Sequence, residues 1–380
     1  MTTLPALPVE GVTDTAIVET IRRLVECESP SSDLAAVARS ADVVAAVGAE
    51  LLGIEPERIV VGGVTHLRWR FGPATRVLLV AHHDTVWPLG TAERLPFSVS
   101  DGILRGPGCF DMKAGLAMAL HALAALADRD GMTLLVTGDE ELGSPNSRAL
   151  IEETARGAAA ALVLEASADG GAWKSARKGV GLYDVEVTGR AAHAGLEPER
   201  GVNATVELAR FVLAVAALGD PDAGTTVTPT RAESGTTTNT VPAGARLWID
   251  VRARTAAELE RVDRALRALV PAHPDAAFRV RGGINRPPME AGMSSALVAL
   301  AGRTAHRLGL PPVADVAVGG ASDGNFTAGI GVPTLDGLGA VGGGAHAEHE
   351  HVVVAELAPR TRLLTELMHA ISRTDEPWHA

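Results

Sequence analysis

Cysteine is almost absent from this 380-residue chain: Cys27 and Cys109 are the two present. Two thiols are too few for a disulfide framework and too few for a thiolate zinc site. A basic excess is also missing. Lys and Arg total 34 against 46 Asp and Glu, a formal net charge of −12. That balance argues against nucleic acid or an anionic membrane surface as the main partner. No apolar run approaches the ~20 residues needed to span a bilayer. The Ala-rich runs "AVARSADVVAAVGAELL" and "LAMALHALAALA" read instead as helices packed between layers. The opening "MTTLPALPVEG" has no basic n-region and no apolar h-region, so no signal peptide is read and a cytoplasmic enzyme is expected. No internal repeat and no low-complexity tract stands out.

What is present is alternation. Residues 13–27 and 33–52 have helical periodicity, and "RIVVGG", "HLRWRF" and "RVLLVAHHD" read as strands. "MKAGLAMALHALAALADR" is helical, "MTLLVTGDEE" a strand, "SPNSRALIEETAR" a helix with Ser144 as N-cap and Pro145 at its first position, and "AAALVLEA" a strand. This predicts an α/β domain: a helix-flanked, mostly parallel sheet. Near residue 179 the texture changes. "GLYDVEVTG" alternates apolar and polar with period two, as a half-solvated strand does. The order from there is strand, helix, strand, strand, helix, strand, that of a ferredoxin-like (βαββαβ) domain. A Pro/Gly boundary in "NRPPMEAG" closes it, and helix and strand alternation resumes. The expected organisation is one domain over residues 1–178 and 289–380, with a second inserted at 179–288.

Acids and imidazoles collect at the predicted strand ends. His82 and Asp84 follow "VLLVA", Asp111 follows the turn "RGPGCFD", and Asp139, Glu140 and Glu141 follow "MTLLVTG". Glu165 ends "ALVLE", and His346 lies in the Gly-rich "GAVGGGAHAEHEH". In open parallel sheets ligands bind beyond the carboxyl ends of the strands. Each group alone is ordinary: wet strand ends carry polar residues, and "DEE" or "HAEHEH" suits a solvated loop. Their joint occurrence in this order points to a metal site. Residues two apart on a strand share a face. His82 and Asp84 therefore point together, the imidazole as ligand and the carboxylate orienting it, while His83 points away as packing. The same rule parts Glu140 from Glu141, one towards metal and the other towards substrate, as metal-assisted hydrolysis requires. Imidazole and carboxylate donors without thiolate suit zinc, with cobalt or manganese as substitutes. Asp111, alone in a tight turn opening a helix, is the natural bridge between two ions. His121 and His306 on helices and Cys109 beside Asp111 read as structural.

The stretches "AHHDTV", "GPGCFDMKAG", "GDEELGS", "GRAAHAG", "NTVPA", "DVRAR" and "GGGAHAEHEH" resemble the M20 metallopeptidases over about residues 15–372. That family includes glutamate carboxypeptidase, the branch most resembled, with aminoacylase, acetylornithine deacetylase and succinyl-diaminopimelate desuccinylase. The resemblance implies two Zn2+ per chain. His82, Asp111 and Glu165 would hold one, and Asp111, Glu141 and His346 the other. Glu140 would be the general base and Asp84 the partner of His82. The inserted domain would serve as lid and dimerisation domain of a homodimer. Its His193 would stabilise the oxyanion, and Asn239 and Arg252 would hold the carboxylate end of a dipeptide or N-acyl amino acid. The family pattern also implies a cis peptide after Asp111. Two departures appear: Met112 stands where many relatives have a second Asp, and Glu165 where some have Asp, Glu being usual in the carboxypeptidase branch.

Two other readings compete. "GASDG" (Gly320 to Gly324) matches a G-x-S-x-G nucleophile elbow, with Asp336 and His346 following in the order of a serine α/β-hydrolase. That reading leaves Asp111, Glu140, Glu141 and Glu165 without a task. A metal-free relative that binds peptides is the second. Arg177 and Lys178 in "SARKGVG" read as a solvated hinge or as anion contacts.

Overall fold

The computed structural model describes residues 12–373, so the leader reading on "MTTLPALPVEG" falls largely outside them. Among the described residues no helix is long and apolar enough to cross a membrane. The chain divides into two compact units. The first takes the chain up to Ala176, Ala291–Val318 and the chain from Ser322 on; the second takes Arg177–Glu290 with Gly319–Ala321.

The first unit is built on a six-stranded sheet. Its strands are β1 (Glu57–Val61), β2 (Val64–Phe71), β3 (Val77–His82), β4 (Met132–Thr137), β5 (Ala160–Val163) and the short Thr334–Leu335. The spatial order is β1, β2, β4, β3, β5, Thr334–Leu335. The pairs β3–β4, β3–β5 and β5 with Thr334–Leu335 are parallel, whereas β2 runs antiparallel to β4 and to β1. The sheet is thus mixed at one edge, where a short reversal at Gly62-Gly63 joins β1 to β2 in place of a helical crossover. All residues of β3, β4 and β5 are buried, which is why they read as continuous apolar runs.

Local chemistry sets the helices. Asp33 caps Leu34–Leu52 by accepting the N–H groups of Ala35 and Ala36, and Gly53 ends it in the left-handed region at φ 76°. Ala114–Ala124 is buried from Ala114 to Leu123, with His121 tied to the Thr20 hydroxyl at 2.9 Å. One expected cap is wrong. The helix after β4 spans Arg148–Ala155, not from Pro145, and Ser144 sits at φ 58° with its hydroxyl donating to Asp323. A buried carboxylate partner outcompetes the capping role there.

The second unit is a four-stranded antiparallel sheet in the order Thr226–Ser234, Gly244–Ala253, Gly179–Thr188, Ala277–Arg286. Helices Ala204–Ala216 and Ala256–Arg267 supply the other half of its core. Val185, Val187, Leu247 and Ile249 from the sheet meet Leu208, Phe211, Leu259 and Val262 from the helices. Pro229 lies on the edge strand Thr226–Ser234, where its missing N–H is tolerated. Arg177 is not a solvated hinge: it is buried and donates to the Gly320 carbonyl at 3.0 Å.

A Cβ at Gly115 would stand 1.9 Å from the Leu164 carbonyl oxygen, so the buried helix can approach β5 only as glycine. Gly115→Ala is expected to lower stability by about 1–3 kcal/mol or more, read from the urea unfolding midpoint. An unchanged midpoint would contradict this packing.

Candidate metal centre

The carboxyl ends of β3, β4 and β5 converge on one cluster. His82, the last residue of β3, is 1% exposed. Its Nδ1 lies 3.0 Å from the Asp84 carbonyl oxygen and 3.4 Å from Asp84 Oδ1. Two acceptors on that side hold a ring proton on Nδ1, so loss of the second proton frees the Nε2 lone pair for a ligand. Nε2 is buried without a hydrogen-bond partner, and its near neighbours are Asp111 Oδ1 and Glu165 Oε1, each at 3.5 Å. On the other side, His346 Nε2 lies 3.3 Å from Asp111 Oδ2 and 3.3 Å from Glu141 Oε2. Asp111 therefore turns one oxygen to each imidazole.

These separations suit a cation. Four ligands at zinc bond lengths of ~2.0–2.1 Å sit about 3.3 Å apart along the edges of their tetrahedron. His82, Asp111 and Glu141 offer donor atoms within 4.8 Å of one another, and so do His82, Glu140 and Glu165. Glu141 Oε1, like His82 Nε2, is buried with no hydrogen-bond partner. Unsatisfied buried lone pairs cost free energy that an ion recovers. The donor set fits a divalent metal.

Charge follows the geometry. Burial opposes ionisation of Asp111, but the His346 and His82 imidazoles beside it outweigh burial and hold its carboxyl well below the usual range. Burial also opposes the charged form of His82, yet Asp111, Asp84 and Glu165 push its pKa well above the ordinary value. The Asp111 and Glu141 carboxylates raise His346 to about 10. Burial raises Glu141.

Asp84 organises the next layer. Its carboxylate accepts the Ser31 hydroxyl at 2.6 Å and the backbone N–H groups of Glu140 at 3.3 Å and Glu141 at 3.2 Å. Glu140–Leu142 is a short 3-10 turn rather than a strand, so strand alternation does not part Glu140 from Glu141; the turn anchored on Asp84 does. His83 faces away, bonded to the Ser40 hydroxyl and the Thr65 carbonyl at 3.1 Å each, and burial depresses its pKa to about 4. The Asp111–Met112 peptide is cis, and Met112 is buried with its sulfur 3.3 Å from the His82 amide. Cys109 is buried and its thiol is pushed up by burial, the environment of an inert packing residue. His346 has left-handed backbone at φ 63°, a conformation rare outside glycine that recurs at functional sites.

The serine reading fails on contact. Ser322 is buried, its hydroxyl donates directly to Asp336 Oδ2 at 2.6 Å, and the following helix is only Gly324–Gly329. His346 instead sits against Asp111 and Glu141. His193, Asn239 and Arg252 belong to the second unit. There His193 pairs with Thr240 across a short ladder, and the Ala194 N–H donates to the Asn239 carbonyl at 2.9 Å. Arg252 grips Asp250 through Nε and Nη2. Sequence reading overlooked Ser31 and Glu350. Ser31 carried no signal in "SPSSD"; Glu350 was visible only as an acid just ahead of the apolar run "VVV".

Metal uptake by the metal-free chain near pH 7 is expected to release protons, because His82 and His346 hold them there and coordination needs neutral rings. Apparent affinity should rise with pH. Calorimetry in two buffers of different ionisation enthalpy reads the release; identical heats would contradict it.

Comparison with known proteins places this geometry. The profile of peptidase family M20/M25/M40 matches residues 78–370. Carboxypeptidase G2 of Pseudomonas sp. (strain RS-16) is 31% identical over 364 residues, 91% of this chain and 86% of that protein. Succinyl-diaminopimelate desuccinylase of Azoarcus sp. (strain BH72) is 27% identical over 343 residues, 84% of this chain and 89% of that protein. The crystal structure of aminopeptidase PepT from Bacillus cereus superposes with a TM-score of 0.76 at 24% identity, covering 95% of this chain and all of that one. With the strand-end cluster in place, the chain belongs to the M20 peptidase family and is a metallopeptidase-type hydrolase of peptide or other amide bonds.

Proposed function

We propose that the chain is a di-zinc exopeptidase that removes a C-terminal amino acid from a dipeptide or N-acyl amino acid, in the manner of a glutamate carboxypeptidase. The observation that carries this is Asp111, whose Oδ1 lies by His82 and Oδ2 by His346; one carboxylate with an imidazole on each side is the donor set of a bridged pair. His82, Asp111 and Glu165 would hold one ion, and Asp111, Glu141 and His346 the other. Cobalt or manganese suits the same donors. Divalent ions held there would supply Lewis acidity, lowering the pKa of a water and polarising the scissile carbonyl.

The protein's own residues do the rest. Glu140, 8% exposed and anchored through its backbone to Asp84, takes a proton from the attacking water and returns it to the leaving nitrogen. Asp84 fixes the His82 ring. Residues 179–288 act as a ferredoxin-like lid and dimerisation domain between 1–178 and 289–380. Within it, His193 Nδ1 accepts the N–H groups of Gly195 and Leu196 at 3.1 Å each, so a neutral ring carries its proton on Nε2 and donates from there to the oxyanion. Asn239 and Arg252 hold the substrate's carboxylate end. Cys27 and Cys109 are both free, which suits a reducing cytoplasm. The enzyme acts there as a homodimer on small substrates, with neither nucleic acid nor membrane as partner. A deacylase of the aminoacylase or acetylornithine type is the second reading, and the desuccinylase relative favours it.

A screen of dipeptides and N-acyl amino acids, folate-like acyl-glutamates included, with zinc, cobalt and manganese supplied separately, decides between them. Carboxypeptidase activity on acyl-glutamates is expected; turnover of N-acetyl or N-succinyl substrates alone would favour the deacylase. 1,10-Phenanthroline is expected to abolish turnover. Glu140→Ala is expected to lower kcat by ~10²–10⁴-fold while binding zinc normally, and near-wild-type turnover would remove Glu140 from its role.

A further inference from the structure

We propose that Glu350 is a positioning residue of the metal centre: it locks the turn that carries Asp111 to the loop that carries His346, and so sets the distance between these two ligands. The proposal rests on the metal-centre reading above. Glu350 is 3% exposed and follows His346 by four residues. Its Oε1 accepts the backbone N–H groups of Phe110 at 2.8 Å and Asp111 at 3.0 Å. Its Oε2 accepts the Gly108 N–H at 2.9 Å and the Trp87 indole N–H at 2.9 Å. Three of these donors come from the one turn that ends in Asp111.

Neither ligand sits in regular structure that would place it otherwise. Asp111 has non-helical backbone inside an irregular turn. The His346 loop is tied by two turn hydrogen bonds, Ala347 N–H to the Gly344 carbonyl at 2.9 Å and Glu350 N–H to the Ala347 carbonyl at 2.8 Å. A Cβ at Gly344 would meet the Glu350 nitrogen at 2.9 Å, so the loop closes tightly on the Glu350 backbone and holds it at a set distance from His346. The Glu350 side chain then carries that position across to Asp111. A carboxylate is needed because donors converge on both oxygens; a glutamine would turn its NH2 towards two of them and lose that half of the grip. An aspartate keeps the charge and both acceptors but is one methylene short.

The test is zinc titration of metal-free wild type, Glu350→Gln and Glu350→Asp against a competing chelator, with far-UV circular dichroism to show that each is folded. Wild type is expected to take two zinc ions. In the variants one of the two steps should lose affinity by ~10–100-fold and the other by less, which separates the steps, and kcat should recover at saturating zinc. A role in folding alone would lower the melting temperature without separating the two steps. Wild-type affinity at both steps in either folded variant overturns the proposal. If Glu350→Gln does not fold, Glu350→Asp decides by the same criterion. If wild type itself takes up no zinc, the metal-centre reading falls and this proposal with it, an outcome distinct from a wild type that binds two ions and variants that match it.

Discussion

The Asp111 carboxylate, flanked by one imidazole on each side, is the contact on which the site depends. Asp84, Asp111, Glu140, Glu141 and Glu165 crowd around two histidines at the edge of a buried sheet. So much negative charge in a region of low dielectric is tolerable only when hydrogen bonds and cations answer it. The chain answers part of it with its own backbone. Asp84 takes two amide N–H groups and a serine hydroxyl, and Glu350 takes three amides and an indole. These two carboxylates are satisfied by protein; Asp111, Glu141 and Glu165 point their oxygens at imidazoles and at one another's space. The division separates acids satisfied by the protein's own donors from acids whose oxygens face the imidazole cluster.

The scaffold explains why the cluster can be held so closely. Strands β3, β4 and β5 are buried on both faces and end at one edge. A rigid edge fixes His82, and the loops that follow β4 and β5 start from it. Glycine is used where backbones must touch: Gly115 against Leu164, and Gly344 against Glu350. The "GGGAH" run is thus a tightly packed turn rather than a slack one. Exposure is graded across the centre. The His82 side chain is 2% exposed and that of His346 51%, so the cluster is closed on the β3 side and open to solvent on the other.

Membership of the M20 family settles the reaction class, hydrolysis of a peptide or other amide bond, and leaves the substrate to residues outside the cluster. Relatives as different in name as a carboxypeptidase and a desuccinylase match this chain, so family membership alone does not fix the substrate.

Much was legible in the sequence because some signals are local. Continuous apolar runs mark strands buried on both faces, period two marks the half-solvated strand Gly179–Thr188, and the ligand types stand at strand ends in order. The tertiary structure decided what depends on partners far away in the chain. The β2 edge runs antiparallel, because strand direction is set by neighbours and not by composition. Ser144 serves Asp323 rather than a helix N-terminus. Ser322 meets Asp336 directly, which leaves the G-x-S-x-G match without chemistry. Glu350, one acid among many in a His-rich stretch, takes its meaning from four donors more than 200 residues earlier in the chain. A sequence states which groups are available, and only three-dimensional proximity, which no local pattern encodes, states which of them meet.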